Sequence, residues 1–268
     1  MRPRLPSIVP LALLLLAGCP QDPPPVEETE TDTGEPSCLD TDSPGADIVI
    51  NFNADIEELA LGECVPERII ITGGGVTDLT GLSSLREVGI LEVRYTPNLQ
   101  VLTGLQQLER IGTLIITGNG VLPNLPTFHS LAQVDNITIT SNAALTDLGS
   151  FPVLSSVRKL EIASNPMLTD YSGFEALTST TGAVELWDAA LVSDLSGFEE
   201  LKTIGGDLRI EVMPALESLE GLGVKNVGGD LRVVGNPSLS ECLAADFAAS
   251  VSVGGATIVN DNKSDLCD

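Results

Sequence analysis

Few residues in this chain have the types and spacing that catalysis requires. His129 is the single histidine, and it follows Phe128 in a stretch where a polar surface residue is expected. A nucleophile–histidine pair needs a cysteine or serine beside the imidazole and an acid to orient it. No G-x-S-x-G stretch is present. Two carboxylates across a sugar would suffice for glycoside cleavage, and the chain is rich in acids, yet spacing singles out no pair. Asp147, Asp170 and Asp194 recur at matching places in successive repeats. Stacked about 5 Å apart, they could hold calcium between layers. The simpler chemistry is that each accepts a hydrogen bond within its own turn. Asp261–Asp265 lacks the glycine of a calcium loop. The expectation is a non-enzymatic chain with no catalytic residue, cofactor or resident metal. The alternatives are a polysaccharide-acting enzyme, or calcium held by Asp147, Asp170 and Asp194.

Recognition chemistry is better represented. Trp187 is the single tryptophan, and alternation with apolar neighbours places it on the outward face of a short strand. Tyr95 lies toward the other end of the repeats. Aromatic residues of this kind often anchor interfaces. Arg94, Glu185 and Arg209 share the outward rows, and Glu185 and Arg209 fall opposite each other as a cross-strand pair. Trp187, Tyr95, Glu185, Arg209 and Arg94 are therefore the candidate binding residues, for a protein or a glycan. The net charge of −25, from 13 basic and 38 acidic residues, argues against nucleic acid and against an anionic membrane surface. Aromatics at 3% are too few for a large aromatic-lined sugar groove.

The ends of the chain carry export and redox chemistry. Arg2 and Arg4 precede the apolar run Ile8–Ala17, broken at Pro10, which reads as a secretory signal over residues 1–18. The run is too short to span a bilayer. Its end, Leu16-Ala17-Gly18-Cys19, resembles the bacterial lipobox. That resemblance implies cleavage before Cys19, acylation of Cys19 and attachment to the membrane through lipid. Pro20 in place of Asp implies outer-membrane delivery by the familiar lipoprotein sorting rule. Residues 19–46 form an acidic Pro/Thr-rich tether with no apolar face to bury. Export also lets Cys38, Cys64, Cys242 and Cys267 form disulfides. Three connectivities are possible; proximity favours Cys38–Cys64 and Cys242–Cys267, one at each end of the folded part.

What positions the candidate residues is a repeat. Strand-like pairs of apolar residues begin at Ile69, Leu91, Leu114, Ile137, Leu160, Val184, Leu208 and Leu231. An earlier strand begins at Ile48. Within a repeat, two apolar residues one apart are followed three positions later by Asn119, Asn142, Asn165 or Asn236, and then by apolar residues every third position, as in Leu145, Leu148, Phe151, Leu154 and Val157. A constant step of three does not fit an amphipathic helix, which needs both i+3 and i+4 positions. It fits corners that each send one side chain inward. A unit of this size cannot bury its own apolar face, but stacked units can. The spacing predicts an all-β solenoid of parallel strands over residues 47–268, in about eight coils of 23–24 residues, capped by disulfides. Phe128, Phe151, Phe174 and Phe198 should stack inside as one column, and Asn119, Asn142 and Asn165 as a buried ladder.

The form Leu160-x-Ile162-x-x-Asn165-x-x-Leu168 is one residue longer than a leucine-rich repeat between Asn and Leu. It resembles the receptor L-domain repeat. So does the stretch Leu195-Ser196-Gly197-Phe198-Glu199-Glu200-Leu201-Lys202-Thr203-Ile204-Gly205-Gly206-Asp207-Leu208-Arg209-Ile210. The resemblance implies a right-handed β-helix, as found in receptor ectodomains, fungal wall proteins and bacterial surface lipoproteins. It names no ligand.

Overall fold

A computed structural model of the chain describes residues 47–59 and 62–265. The expected signal and tether, with Cys19, Cys38 and Cys267, lie outside the described residues. The early strands are long: β1 (Ile48–Phe52), β2 (Cys64–Gly75), β3 (Glu87–Arg94), β4 (Arg110–Thr117) and β5 (Gln133–Thr140). Later coils split each strand in two: β6 (Ser156–Val157) and β7 (Lys159–Ala163), β8 (Ser179–Thr180) and β9 (Val184–Trp187), β10 (Thr203–Ile204) and β11 (Leu208–Glu211). The last pairs are β12 (Asn226–Val227) with β13 (Leu231–Val234), and β14 (Ser252–Val253) with β15 (Thr257–Asn260).

One ten-stranded sheet runs β1-β2-β3-β4-β5-β7-β9-β11-β13-β15, and a five-stranded sheet runs β14-β12-β10-β8-β6. Neighbouring strands are parallel throughout. The chain is a parallel β-solenoid, and the repeat starts at Ile69, Leu91, Leu114, Ile137, Leu160, Val184, Leu208 and Leu231 pair with one another in register. Ile48 pairs with Ile69 and Thr257 with Leu231. The stack is thus about nine turns, in keeping with the number the spacing suggests, and Thr257–Asn260 is the strand of the final one.

The step of three does fill the interior. Leu145, Leu148, Phe151, Leu154 and Val157 are all buried. The rings of Phe128, Phe151, Phe174 and Phe198 form one column, with centroids 4.9, 4.9 and 5.9 Å apart and nearly parallel planes. Tyr171 joins them against Phe198. Its hydroxyl is buried without a hydrogen-bond partner, and burial pushes the phenol well above its ordinary pKa.

The asparagine ladder is buried and closed. The Asn142 carbonyl accepts from the Asn119 backbone N–H (3.1 Å) and Nδ2 (3.2 Å), while Asn142 Nδ2 donates to Ile116 O (3.0 Å) and to Asn165 Oδ1 (3.2 Å). Thr96 continues the ladder on one side, donating to Asn119 Oδ1 at 2.7 Å. Ala189 and Met213 interrupt it; Asn236 and Asn262 resume it. At the far end Glu241 Oε2 accepts from the Asn262 N–H at 3.2 Å, in the place where a further asparagine would stand.

The residue before each ladder position turns the corner in the left-handed region: Tyr95 (φ 50°), Ser141 (59°), Ser164 (53°), Asp188 (55°) and Val212 (57°), with Gly118 and Gly235 in equivalent coils. Val212 is β-branched, the type least suited to that region, and is more than half exposed. Val212→Gly should therefore raise stability by about 1 kcal/mol, read as a higher urea midpoint. An unchanged or lower midpoint would show that the corner is not strained.

Glycine in the Gly-Gly-Asp bends serves another purpose. Gly205 and Gly228 are not left-handed; a Cβ on Gly228 would lie 2.3 Å from Gly205 O, so the coils approach too closely for any side chain. Among the described residues two short α-helices accompany the strands, α1 (Asn53–Leu59) and α2 (Glu241–Ser250). Neither was expected from the repeat. Ser240 caps α2 by accepting from the Leu243 N–H at 3.2 Å, and Ala244 and Ala248 face the core. Cys64 and Cys242 are both disulfide-bonded; their partners lie outside the described residues, and so does the pairing expected at the two ends.

Candidate binding face

The outer surface of the ten-stranded sheet is built from residues that alternate with the core. Ile115, Thr138, Glu161, Glu185, Arg209 and Arg232 form one row in register, and Arg94, Thr117, Thr140, Ala163, Trp187, Glu211 and Val234 form the next. Trp187 is 37% exposed, and its neighbour Ala163 is buried. Tyr95 is 64% exposed, but it sits on the corner, and its ring lies over Gly118, where a Cβ would meet it at 2.5 Å.

The structure brings Glu185, Arg209 and Trp187 together and leaves Tyr95 and Arg94 apart from them. Four coil steps separate the two groups, roughly 19 Å at the spacing of parallel strands. Arg94 instead pairs with Glu92 at 2.9 Å, and Arg68 shares that buried carboxylate.

Around Trp187 the charges neutralise one another in a chain. Lys159 bridges Glu161 (3.2 Å) and Glu185 (2.6 Å); Arg209 bridges Glu185 (3.4 Å) and Glu211 (3.3 Å); Arg232 closes on Glu211 at 2.6 Å. Burial pulls the Lys159 ammonium down, but the hydrogen bonds to Glu185 and Glu161 outweigh it and hold its pKa above the ordinary lysine value. Burial likewise pushes Glu211 up, and the bonds from Arg232 and Arg209 outweigh it and hold Glu211 below the ordinary glutamate value. A carboxylate depressed in this way contributes stability above its unfolded-state pKa, and that contribution is lost as pH falls through the folded one. Glu211→Gln should therefore be less stable than wild type near neutral pH and should converge with it as the pH falls through the folded-state value, below the ordinary glutamate range. Urea midpoints across pH read this directly; a gap that persists in acid would assign the loss to packing instead.

The aspartates are committed to their own turns. Asp147, Asp170 and Asp194 accept from the backbone N–H two residues on, at 2.7, 3.0 and 2.9 Å. Hydrogen bonds from Ser196, side chain and backbone, hold Asp194 below the usual carboxylate range. Among the described residues no three histidines, cysteines or carboxylates gather as a metal site. His129 is exposed. A hollow of about 350 Å³ is lined by Glu87, Glu109 and Arg110, among others, and Glu109 lies 3.6 Å from Arg86. Among the described residues no helix is long and apolar enough to cross a membrane.

Spacing alone missed a second set of aspartates. Asp207 Oδ1 accepts from the Asp230 N–H at 2.8 Å, and Asp230 Oδ1 from the Ala256 N–H at 2.7 Å, so these side chains tie coil to coil. The signal was the Gly-Gly-Asp repeat itself. Compared with family models, curated proteins and solved structures, the chain matches none.

Proposed function

We propose that this is a non-enzymatic, lipid-anchored protein of the bacterial cell envelope, a receptor-L-domain-like solenoid that binds a protein or glycan or scaffolds the envelope. The observation that carries the reading is the rigid outer sheet, where an exposed indole stands beside a chain of mutually neutralised charges. Hydrogen-bonded strands hold the backbone of Trp187 in place, so no backbone has to be ordered on contact. Cys19 supplies the anchor and residues 19–46 the reach. Asp147, Asp170 and Asp194 are occupied in turns, and Glu185 and Glu211 are paired with arginines.

The test uses the full-length protein in its own membrane. Cys19→Ser should abolish lipid labelling and membrane retention. Trp187→Ala should leave the thermal midpoint almost unchanged and remove a crosslinked partner seen with wild type. Membrane retention without Cys19, or an identical crosslinking pattern without Trp187, overturns the corresponding half of the reading.

A further inference from the structure

We infer that the corner beyond the asparagine ladder is a docking ridge for a basic polypeptide segment carrying aliphatic anchors. This rests on the reading of the protein as a binding module and gives that module a second surface and a partner chemistry. Val121, Met167 and Leu191 hold the same place in their coils, two residues after the ladder position, and are 37%, 47% and 47% exposed. Ala144 and Ala215 hold that place in the coils between and after them. The row beside it carries Pro166 and Pro214, both exposed.

These rows are aligned, because register is pinned on both sides of the corner. Before it stand the strands and the ladder; after it, Thr146 N–H donates to Pro123 O (2.8 Å) and Glu217 N–H to Ser193 O (2.9 Å). Scattered exposed apolar residues need no explanation, but a contiguous row does. From Val121 to Ala215 it runs about 19 Å, at roughly 4.8 Å per coil. Val212 adds to it: it exposes an isopropyl group at a left-handed corner where other coils use glycine, serine, aspartate or tyrosine.

Charge selects the occupant. The seven corners at residues 95–101, 118–124, 141–147, 164–170, 188–194, 212–218 and 235–241 contain no lysine, arginine or histidine. Asp188 flanks the ridge on one side, and Asp147, Asp170 and Asp194 flank it on the other. An anionic lipid surface and a second copy of this acidic chain are repelled by such a border. A glycan finds one exposed aromatic at these corners, Tyr95, and none along the row from Val121 to Ala215. A chain of lysine or arginine with leucine-like anchors is complementary to both features.

The probe is a short fluorescein-labelled leucine–lysine peptide, with leucine–glutamate and serine–lysine peptides of equal length beside it, titrated onto the intact protein by anisotropy. Binding should be confined to the leucine–lysine peptide and should weaken with salt. Met167→Lys and Leu191→Lys should each weaken it about tenfold or more, while Val153→Lys, an exposed valine elsewhere, should not. Equal binding of the serine–lysine peptide, or equal loss in Val153→Lys, reduces the effect to bulk charge and overturns the ridge. Loss in Trp187→Ala with no loss in Leu191→Lys overturns the ridge and leaves the outer-sheet reading standing. A self-association in sedimentation that Leu191→Lys abolishes assigns the ridge to a second copy and overturns the occupant. Absence of binding by any peptide overturns the proposal outright.

Discussion

Phe174→Ala should lower stability by roughly 3–5 kcal/mol, the cost of truncating a buried phenylalanine. Phe174 is 1% exposed and lies between two rings, Phe151 at 4.9 Å and Phe198 at 5.9 Å. Each offset ring contact adds about 0.5–1.5 kcal/mol beyond buried area, so an interior member of the column loses more than an end member. Neighbouring coils cannot close the void, because their strands and ladders fix the spacing. Phe128→Ala, with one ring neighbour in the column, should cost less. Urea unfolding of the two variants measures the difference. A loss under about 1 kcal/mol for Phe174→Ala would mean that the stack relaxes around the hole, against the close packing of protein interiors.

Asn142→Ala should cost roughly 3 kcal/mol or more, although it removes only a small side chain. The amide serves four partners in the two neighbouring coils: the Asn119 backbone N–H and Nδ2, Ile116 O and Asn165 Oδ1. Each buried group left unpaired costs about 1–3 kcal/mol. Asn142→Asp is the sharper variant. It keeps the acceptor, loses the donor and sets a carboxylate against the Ile116 carbonyl. Its folded-state pKa is raised by burial, so its penalty is greatest above that value and shrinks as the pH falls through it. Unfolding midpoints at neutral and acid pH decide the matter; a penalty that grows in acid contradicts the ladder's role.

The repeat was legible because two periods act at once. The return of apolar pairs such as Leu160 and Ile162 every 23 or 24 residues sets the register, and the step of three through Leu145, Leu148 and Phe151 sets the corners. Together they gave inside and outside correctly for Trp187 and for the phenylalanine column. Helix α2 was missed although its signal is present: Ser240 is a capping residue, and Leu243, Ala244, Phe247 and Ala248 have helical spacing. Alanine carries so little apolar weight that a step-of-three reading passes over it. The left-handed corner was missed because the residues filling it, Tyr95, Ser141, Asp188 and Val212, share no chemistry; only their backbone is alike. The candidate binding residues divide into two groups as the repeat spacing implies, since the coil of Arg94 and Tyr95 lies four starts before that of Trp187. That Tyr95 turns the corner and does not lie on the outer face was not legible, because nothing in its chemistry marks a left-handed residue.

Parallel stacking in register has a consequence for how such a chain changes over generations. A coil touches the coil before it and the coil after it, and each interior junction repeats the same pairing of rows. Duplicating or deleting one whole coil therefore leaves every remaining junction with a partner of the same kind. A change of one or a few residues inside a coil is taken up at its corners, since coils of 21, 23, 24 and 26 residues keep the same rows in register. Length is thus a heritable variable in units of one coil. A charge chain spread over four coils, or a ridge over five, can be lengthened without redesigning the residues already in it.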